Sequence, residues 1–175
     1  MVGGVSVQTL ADLPPHRGGL LFVGLNPSPV SVRAGHYFQG QLGRTFWERL
    51  TRAGIIPDVP LLEADDALVA AGHGLTDLIK LPTPRDVATD ADLAAGVGPL
   101  WQKIAIWRPA AVVFVYKRAA SIVAGRPLSE PWGTLKDVAI AGRPCVLMPG
   151  PYATTEQVDE GVNLLRNVAS ALTPG

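Results

Sequence analysis

The chain has 175 residues, of which 47% are hydrophobic and 17% are charged, and its formal net charge is zero. This composition is typical of a folded globular protein, and the length suits one domain, which we predict to span residues 1–175. A neutral chain excludes DNA binding that relies on net charge alone, and the one cysteine, Cys145, excludes a disulfide framework or a metal site built from several thiolates.

Four apolar runs predict the strands of a central sheet. In chain order they lie at residues 20–25, 74–79, 110–116 and 144–149. Their apolar residues are continuous rather than alternating, which is typical of parallel strands that are covered on both faces. The stretch "KDVAIAG" precedes the fourth run and is predicted to be its hairpin partner or an edge strand.

Helices are predicted between these runs and after the last one. Residues 44–54 and 65–72 each end in a glycine suited to a helix C-terminus. The helix predicted at residues 90–107 carries on one face Leu93, Val97, Leu100, Trp101 and Ile104. Thr154 and Gln157 form a capping box for the last helix. Its apolar positions are Val158, Val162, Leu165, Ala169 and Leu172.

The alternation of strands and helices predicts an α/β fold. We expect a three-layer αβα architecture around a mainly parallel, four-stranded central sheet. In such sheets ligands bind beyond the carboxyl ends of the strands. The loops after Leu25, Thr76 and Leu147 are therefore expected to meet at one site.

Targeting signals are not visible in the sequence. No apolar run reaches the ~20 residues needed to cross a bilayer, and the N-terminal stretch has no basic start followed by an apolar core. We therefore expect a soluble, cytoplasmic protein.

No GxGxxG or P-loop pattern follows the first strand, which argues against a small-molecule α/β enzyme that binds nucleotides.

Four blocks of sequence occur in an informative order. They are "GLNPS" at the end of the first strand, "GHYF" followed by Arg-Thr-Phe-Trp, "GLTDLIKLPT" with a later Trp-Gly, and "LMPGPYATT" before the last helix. Together they cover nearly the whole chain and resemble the mismatch-specific uracil/thymine-DNA glycosylases of the uracil-DNA glycosylase superfamily. The resemblance implies that superfamily's fold and a partner DNA that contains uracil or another damaged base.

The sequence departs from the family pattern at several positions. Gly150 stands where the family has an asparagine that contacts the base opposite the lesion, so we expect weak preference for one opposing base. Arg44 and Thr45 replace an Asn-Arg pair, and Asp77 replaces a lysine of the best-known relatives. One cysteine is too few for the branches that carry an iron–sulfur cluster.

Base excision requires a flipped nucleotide, a positioned water and groups that tolerate a cationic sugar. The resemblance implies that Asn26 aims the water through its side-chain carbonyl; the alternative is an Asx turn before Pro27. Asp77, at the end of the second strand, is predicted to activate water or to stabilise the sugar cation. The alternative for Asp77 is a loop cap.

The resemblance also indicates a base pocket, made by Gly24, Leu25, His36, Tyr37 and Phe38. The ring of Phe38 is expected to stack on the flipped base, and the backbone N–H groups of Phe38 and Tyr37 to contact base oxygens. Two alternatives remain open: Phe38 as a core aromatic and His36 as a structural residue.

The remaining DNA contacts are assigned to one loop and to basic side chains. The loop that enters the duplex is predicted to contain Pro149, Gly150, Pro151, Tyr152, Ala153 and Thr154. The phosphate candidates are Arg33, Arg44 and Lys117. We expect Arg49, Arg52 and Arg166 to form a solvated helix face, and Cys145 to be inert core.

These patterns predict a monofunctional DNA glycosylase that acts as a monomer, uses no metal or cofactor and leaves an abasic site. Uracil is the expected base. The alternatives are a glycosylase for hypoxanthine or xanthine, and a module that binds damaged DNA without turnover.

Overall fold

A computed structural model describes residues 7–83 and 87–171. Its centre is one sheet, whose strands are β1 (Leu20–Gly24), β2 (Gly74–Asp77), β3 (Ala111–Phe114), β4 (Gly133–Ile140) and β5 (Arg143–Leu147). The strand order is β2-β1-β3-β5-β4. Four strands run parallel, and β4 pairs with β5 in the antiparallel sense.

The predicted α/β class and mainly parallel sheet are confirmed, with five strands instead of four. The additional strand is β4, which contains all but the last two residues of the stretch predicted to be a hairpin partner or edge strand. It lies at the edge of the sheet, and exposed residues lie between the buried residues along this strand. The four parallel strands are almost entirely buried except at the start of β5.

Helices connect and cover the strands. The described α-helices are α1 (Pro29–Ala34), α2 (Gln41–Arg52), α3 (Ala64–Ala70), α4 (Asp90–Ala95), α5 (Val97–Trp107), α6 (Lys117–Ala124) and α7 (Thr155–Ser170). No helix among the described residues combines the length and apolarity needed to cross a bilayer.

The single helix predicted at residues 90–107 is two helices. They meet at Gly96, which ends α4 and begins α5. A Cβ at Gly96 would lie 2.1 Å from the backbone oxygen of Leu78, so the chain bends there against the segment after β2. Trp101, predicted to share the buried face, is 42% exposed, whereas Leu100 and Ile104 of the same helix are buried.

The helix α1 was not predicted, although its signals are present in the sequence. Ser28 caps it by accepting a hydrogen bond from the Ser31 N–H, proline occupies the first turn, and Gly35 closes it with a φ of 76°. The helix α6 was also missed. At the other end of the chain the Thr154–Gln157 capping box is confirmed, while Leu172 lies outside the described residues.

Two apolar cores, one on each face of the sheet, complete the three layers. Side chains of α2, α3 and α7 pack against one face. Side chains of α4, α5 and α6 pack against the other face, together with Cys145. Burial raises the pKa of the Cys145 thiol to about 12, which agrees with an inert core cysteine.

Candidate active site

A cleft of about 900 Å³ opens at the carboxyl ends of the parallel strands. Residues that follow β1, β2, β3 and β5 all border it, as expected for a parallel sheet. The predicted site residues that line it are Leu25, Asn26, Tyr37, Phe38, Asp77, Lys117 and Tyr152. We call Asn26, Asp77 and Phe38 the floor of the cleft. We call Val30, Leu42 and Tyr152, which are exposed apolar residues, its rim.

The side-chain amide of Asn26 is held in place by hydrogen bonds that its nitrogen donates. Its Nδ2 donates to Thr83 Oγ1 at 2.6 Å and to the Leu81 carbonyl at 3.3 Å. Within residues 7–83 and 87–171 the Oδ1 atom accepts no hydrogen bond, so the amide carbonyl remains available for a water molecule. The Asx turn considered for Asn26 is not formed by the described residues.

Asp77 is a buried carboxyl group with unused hydrogen-bonding capacity. It is 3% exposed, and its Oδ2 has no partner among the described residues. Burial raises the pKa of Asp77 to about 7, with the nearby Lys80 opposing the rise. A carboxyl group that titrates near neutral pH and makes no cap is suited to proton transfer.

Gly24 provides the space that this carboxyl group occupies. Gly24 pairs with Asp77 in the register between β1 and β2. A Cβ at Gly24 would lie 2.2 Å from Asp77 Oδ1 and 3.3 Å from Phe38 Cζ. Gly24 was predicted to be one of the base-contacting residues, but it does not line the cleft. It instead leaves space beneath the residues that do.

Phe38 combines core packing with exposure to the cleft. Its ring centroid lies 4.4 Å from that of Phe46 and 6.1 Å from that of Trp47, to which it is nearly perpendicular. The backbone has a φ of 54°, a left-handed conformation that costs a residue with a side chain about 1–2 kcal/mol. Gly43 permits this turn, because a Cβ there would lie 1.9 Å from the Phe38 carbonyl oxygen.

Tyr37 and His36 are engaged in other contacts. The Tyr37 N–H donates to Asp65 Oδ2 at 2.9 Å, so it is not available for the base contact predicted for it. The Phe38 N–H donates to none of the described residues. His36 Nδ1 also contacts Asp65, at 2.8 Å, and lies outside the cleft lining. These contacts favour the structural alternative for His36.

A polar network behind the floor was not predicted. Asp12 accepts from Thr76 and forms ion pairs with Lys80 at 2.6 Å and Lys103 at 2.8 Å. Burial opposes ionisation of Asp12, but the hydrogen bonds from these three residues hold its pKa below the usual value. Lys80 Nζ also donates to the Tyr37 hydroxyl at 2.7 Å. The network thus places two cations near Asp77, where they favour its ionised form.

One group of described residues could in geometry hold a metal ion. The candidate ligand atoms of His36, Asp65 and Asp66 lie within 4.8 Å of one another. Asp65 is already committed to His36 and to the Tyr37 N–H. This group is therefore explained by its role in holding the turn that leads to Phe38.

The predicted duplex-entering loop projects Tyr152 into solvent. Tyr152 is 93% exposed and borders the cleft. Gly150 faces open space, so its Cβ would meet nothing within 4 Å. The N–H of Thr154 donates to Gln157 Oε1 at 3.0 Å in the capping box, so Thr154 does not offer that donor to a phosphate.

Arg49 was predicted to belong to a solvated helix face, and this is wrong. It is 7% exposed. Its Nη1 donates to the Pro149 carbonyl at 2.5 Å and its Nη2 to the Gly150 carbonyl at 3.0 Å. Arg52 fits the prediction better, because it is half exposed and pairs with Asp159 on the surface.

The predicted phosphate contacts lie at different places around the cleft. Lys117, at the start of α6, borders the cleft and is exposed. Its neighbour Arg118 also borders the cleft, while donating to Asp90 Oδ1 at 2.8 Å. Arg33 and Arg44 are exposed but lie outside the lining of the cleft.

Comparison with known proteins agrees with this architecture. No curated protein matches the sequence. The family model of the uracil DNA glycosylase superfamily matches residues 11–157, a span that includes every floor residue and the loop that carries Tyr152. Members of this superfamily are DNA glycosylases that act on damaged bases in DNA repair. The chain belongs to the uracil DNA glycosylase superfamily.

Proposed function

We propose that this protein is a monofunctional glycosylase that flips uracil out of DNA and removes it by hydrolysis. The observation that carries the proposal is the arrangement of Asn26 and Asp77. Both border one cleft, and Asn26 is held through its nitrogen so that its oxygen faces no described donor. An amide acceptor and a carboxyl group that titrates near pH 7, both lining the same cleft, are suited to hold and deprotonate a water molecule.

The proposed reaction is displacement by water at the sugar. The water oxygen bonds to C1′ of the deoxyribose while the bond from C1′ to the base nitrogen breaks, and its electron pair leaves with the base. Asn26 orients the water, and ionised Asp77 accepts its proton and faces the positive charge that develops on the sugar. The departing base anion then takes a proton, leaving an abasic site.

The base is expected to stack on Phe38. Such stacking is worth ~1–3 kcal/mol per base and is tolerant of base identity. The Phe38 N–H, which has no described acceptor, is a donor for a base oxygen. Specificity therefore depends on few direct contacts, which agrees with excision of uracil and related deaminated bases.

The rim and the loop of residues 148–154 are proposed to act on the duplex. Tyr152 is placed to fill the gap that the flipped nucleotide leaves, while Gly150 offers no side chain to the opposing base. We therefore propose the mismatch-specific uracil/thymine branch as the most similar one, with weaker discrimination of the opposing base. The protein is proposed to act in the cytoplasm as a monomer, without a metal.

The proposal is tested by excision assays on defined oligonucleotides. Purified protein is incubated with uracil in single strands, opposite guanine and opposite adenine, and abasic sites are cleaved with alkali. Release of uracil without strand cleavage before alkali supports a monofunctional glycosylase.

Matched oligonucleotides with hypoxanthine or xanthine in place of uracil serve as competitors. Preferred cleavage of either would assign the same cleft to another deaminated base. Retardation of abasic DNA in a gel without any product would instead indicate a binding module and would contradict the proposed function.

A further inference from the structure

Helix α2 connects the base-stacking residue with the loop proposed to enter the duplex. At its start, Gly43 packs against the backbone of Phe38, and Phe46 stacks on the Phe38 ring. At its end, Arg49 donates to the carbonyls of Pro149 and Gly150. One rigid element thus contacts both the floor and the base of the loop.

Arg49 makes these contacts from a buried position. Its Nε is also buried and has no partner among the described residues. The guanidinium group is therefore desolvated while it donates to two backbone carbonyls. Burial lowers the pKa of Arg49, yet arginine remains charged in proteins. Hydrogen bonds from a charged donor are the stronger kind, and the fork of the guanidinium group fixes both carbonyls in one orientation.

Helix α7 also contacts the base of the loop. A Cβ at Gly161 would lie 2.3 Å from Pro149 Cγ, so α7 approaches the proline ring directly. Pro149 is therefore contacted by both helices: its carbonyl by Arg49 of α2 and its ring by Gly161 of α7. Tyr152, three residues further along, is 93% exposed.

We propose that Arg49 is a positioning residue that sets the direction of the Tyr152 loop and thereby governs action on duplex DNA. This inference rests on the proposed glycosylase function. Arg49 is too buried to contact a phosphate and does not line the cleft. Its effect must therefore be carried by the loop, and a substrate without a complementary strand should not depend on it.

The test compares Arg49→Met with Arg52→Met, a matched change of an exposed arginine on the same helix. Single-turnover excision is measured on uracil in duplex and in single-stranded DNA. Arg49→Met should lower the duplex rate by about tenfold, the same loss as expected for Tyr152→Ala, since misplacement of a group by about 1 Å is enough to cause it. The single-strand rate should change by less than about twofold, and adding Tyr152→Ala should cause no further loss.

Equal losses on both substrates, or full additivity with Tyr152→Ala, would overturn the proposal. Arg49→Lys, which keeps one charged donor, should recover part of the duplex rate and replaces Arg49→Met if that variant does not fold.

Amide hydrogen exchange supplies a readout that does not depend on activity. Exchange at Gly150, Tyr152 and Ala153 should be faster in Arg49→Met than in Arg52→Met, and unchanged exchange there would overturn the proposal. Failure of the wild type to release any base would contradict the glycosylase function, whereas the exchange result would still decide whether Arg49 holds the loop.

Discussion

The floor and the rim of the cleft are stabilised in different ways. Asn26 is fixed by two hydrogen bonds, Asp77 fits over a glycine, and Phe38 packs in an aromatic cluster. Tyr152, in contrast, is almost fully exposed, and the base of its loop is held by Arg49. The difference agrees with the proposed function, in which the fixed floor residues carry the chemistry and the exposed Tyr152 acts on the duplex. Substitutions in the two regions should therefore have different signatures.

The largest effect is expected for Asn26→Ala. Loss of the amide removes the group that orients the water, and we expect single-turnover excision to fall by on the order of a hundredfold to a thousandfold. Binding to abasic duplex, measured by gel shift, should persist because Asn26 contacts neither the loop nor the exposed cations. An unchanged excision rate would show that another group positions the water.

A smaller loss is expected for Asp77→Asn, and it should depend on pH. With a pKa of about 7, the wild-type carboxyl group is mostly ionised at pH 8 and mostly protonated at pH 6. If the ionised form takes the proton, the wild-type rate rises with pH and levels off above 7. Asp77→Asn should be slower by about a hundredfold at pH 8 and should lack this inflection. Identical pH profiles would rule out the proton-accepting role.

Asp77→Asn, which is expected to lower the excision rate, should in contrast make the folded protein more stable than the wild type at neutral pH. The pKa of Asp77 is raised in the fold above its unfolded value of 3.8, so its stabilising contribution is complete below pH 3.8 and is lost as pH rises through 7. Between pH 5 and pH 8 the free energy of unfolding of the wild type should fall by about 3 kcal/mol relative to that of Asp77→Asn. Urea unfolding of both proteins at the two pH values measures this, and a parallel pH dependence would contradict the raised pKa.

The smallest of these effects is expected for Tyr152→Ala. A ring that replaces the flipped nucleotide matters only where a gap exists, so the duplex rate should fall by about tenfold and the single-strand rate should not change. Discrimination between uracil opposite guanine and uracil opposite adenine should stay within the ~1–3 kcal/mol typical of one mismatched pair. A much larger preference would indicate a specific contact with the opposing base.

The sequence was sufficient to predict the parallel sheet and the location of the floor. Both follow from local patterns: Asn26 and Asp77 stand at the ends of apolar runs, and parallel strands bring such ends together. The capping box of α7 was equally visible, because its two members are three residues apart.

Features that depend on contacts between distant segments could not be predicted in this way. The role of Gly24 depends on the carboxyl group of a neighbouring strand, and buried Arg49 donates to two carbonyls 100 and 101 residues away. Asp12 and Lys103 meet for the same kind of reason. A charged residue on a helix is usually solvated, so the sequence alone favoured the wrong interpretation of Arg49.

The central claim is that the floor performs the chemistry and the rim acts on the duplex. The most direct test is to measure single-turnover excision rates on duplex and single-stranded DNA for Asp77→Asn and Tyr152→Ala side by side. The quantity compared is the ratio of the duplex rate to the single-strand rate. We predict that Asp77→Asn slows both substrates by the same factor and leaves the ratio unchanged, whereas Tyr152→Ala lowers the ratio by about tenfold. A ratio that changes in Asp77→Asn and stays constant in Tyr152→Ala would contradict this division of roles.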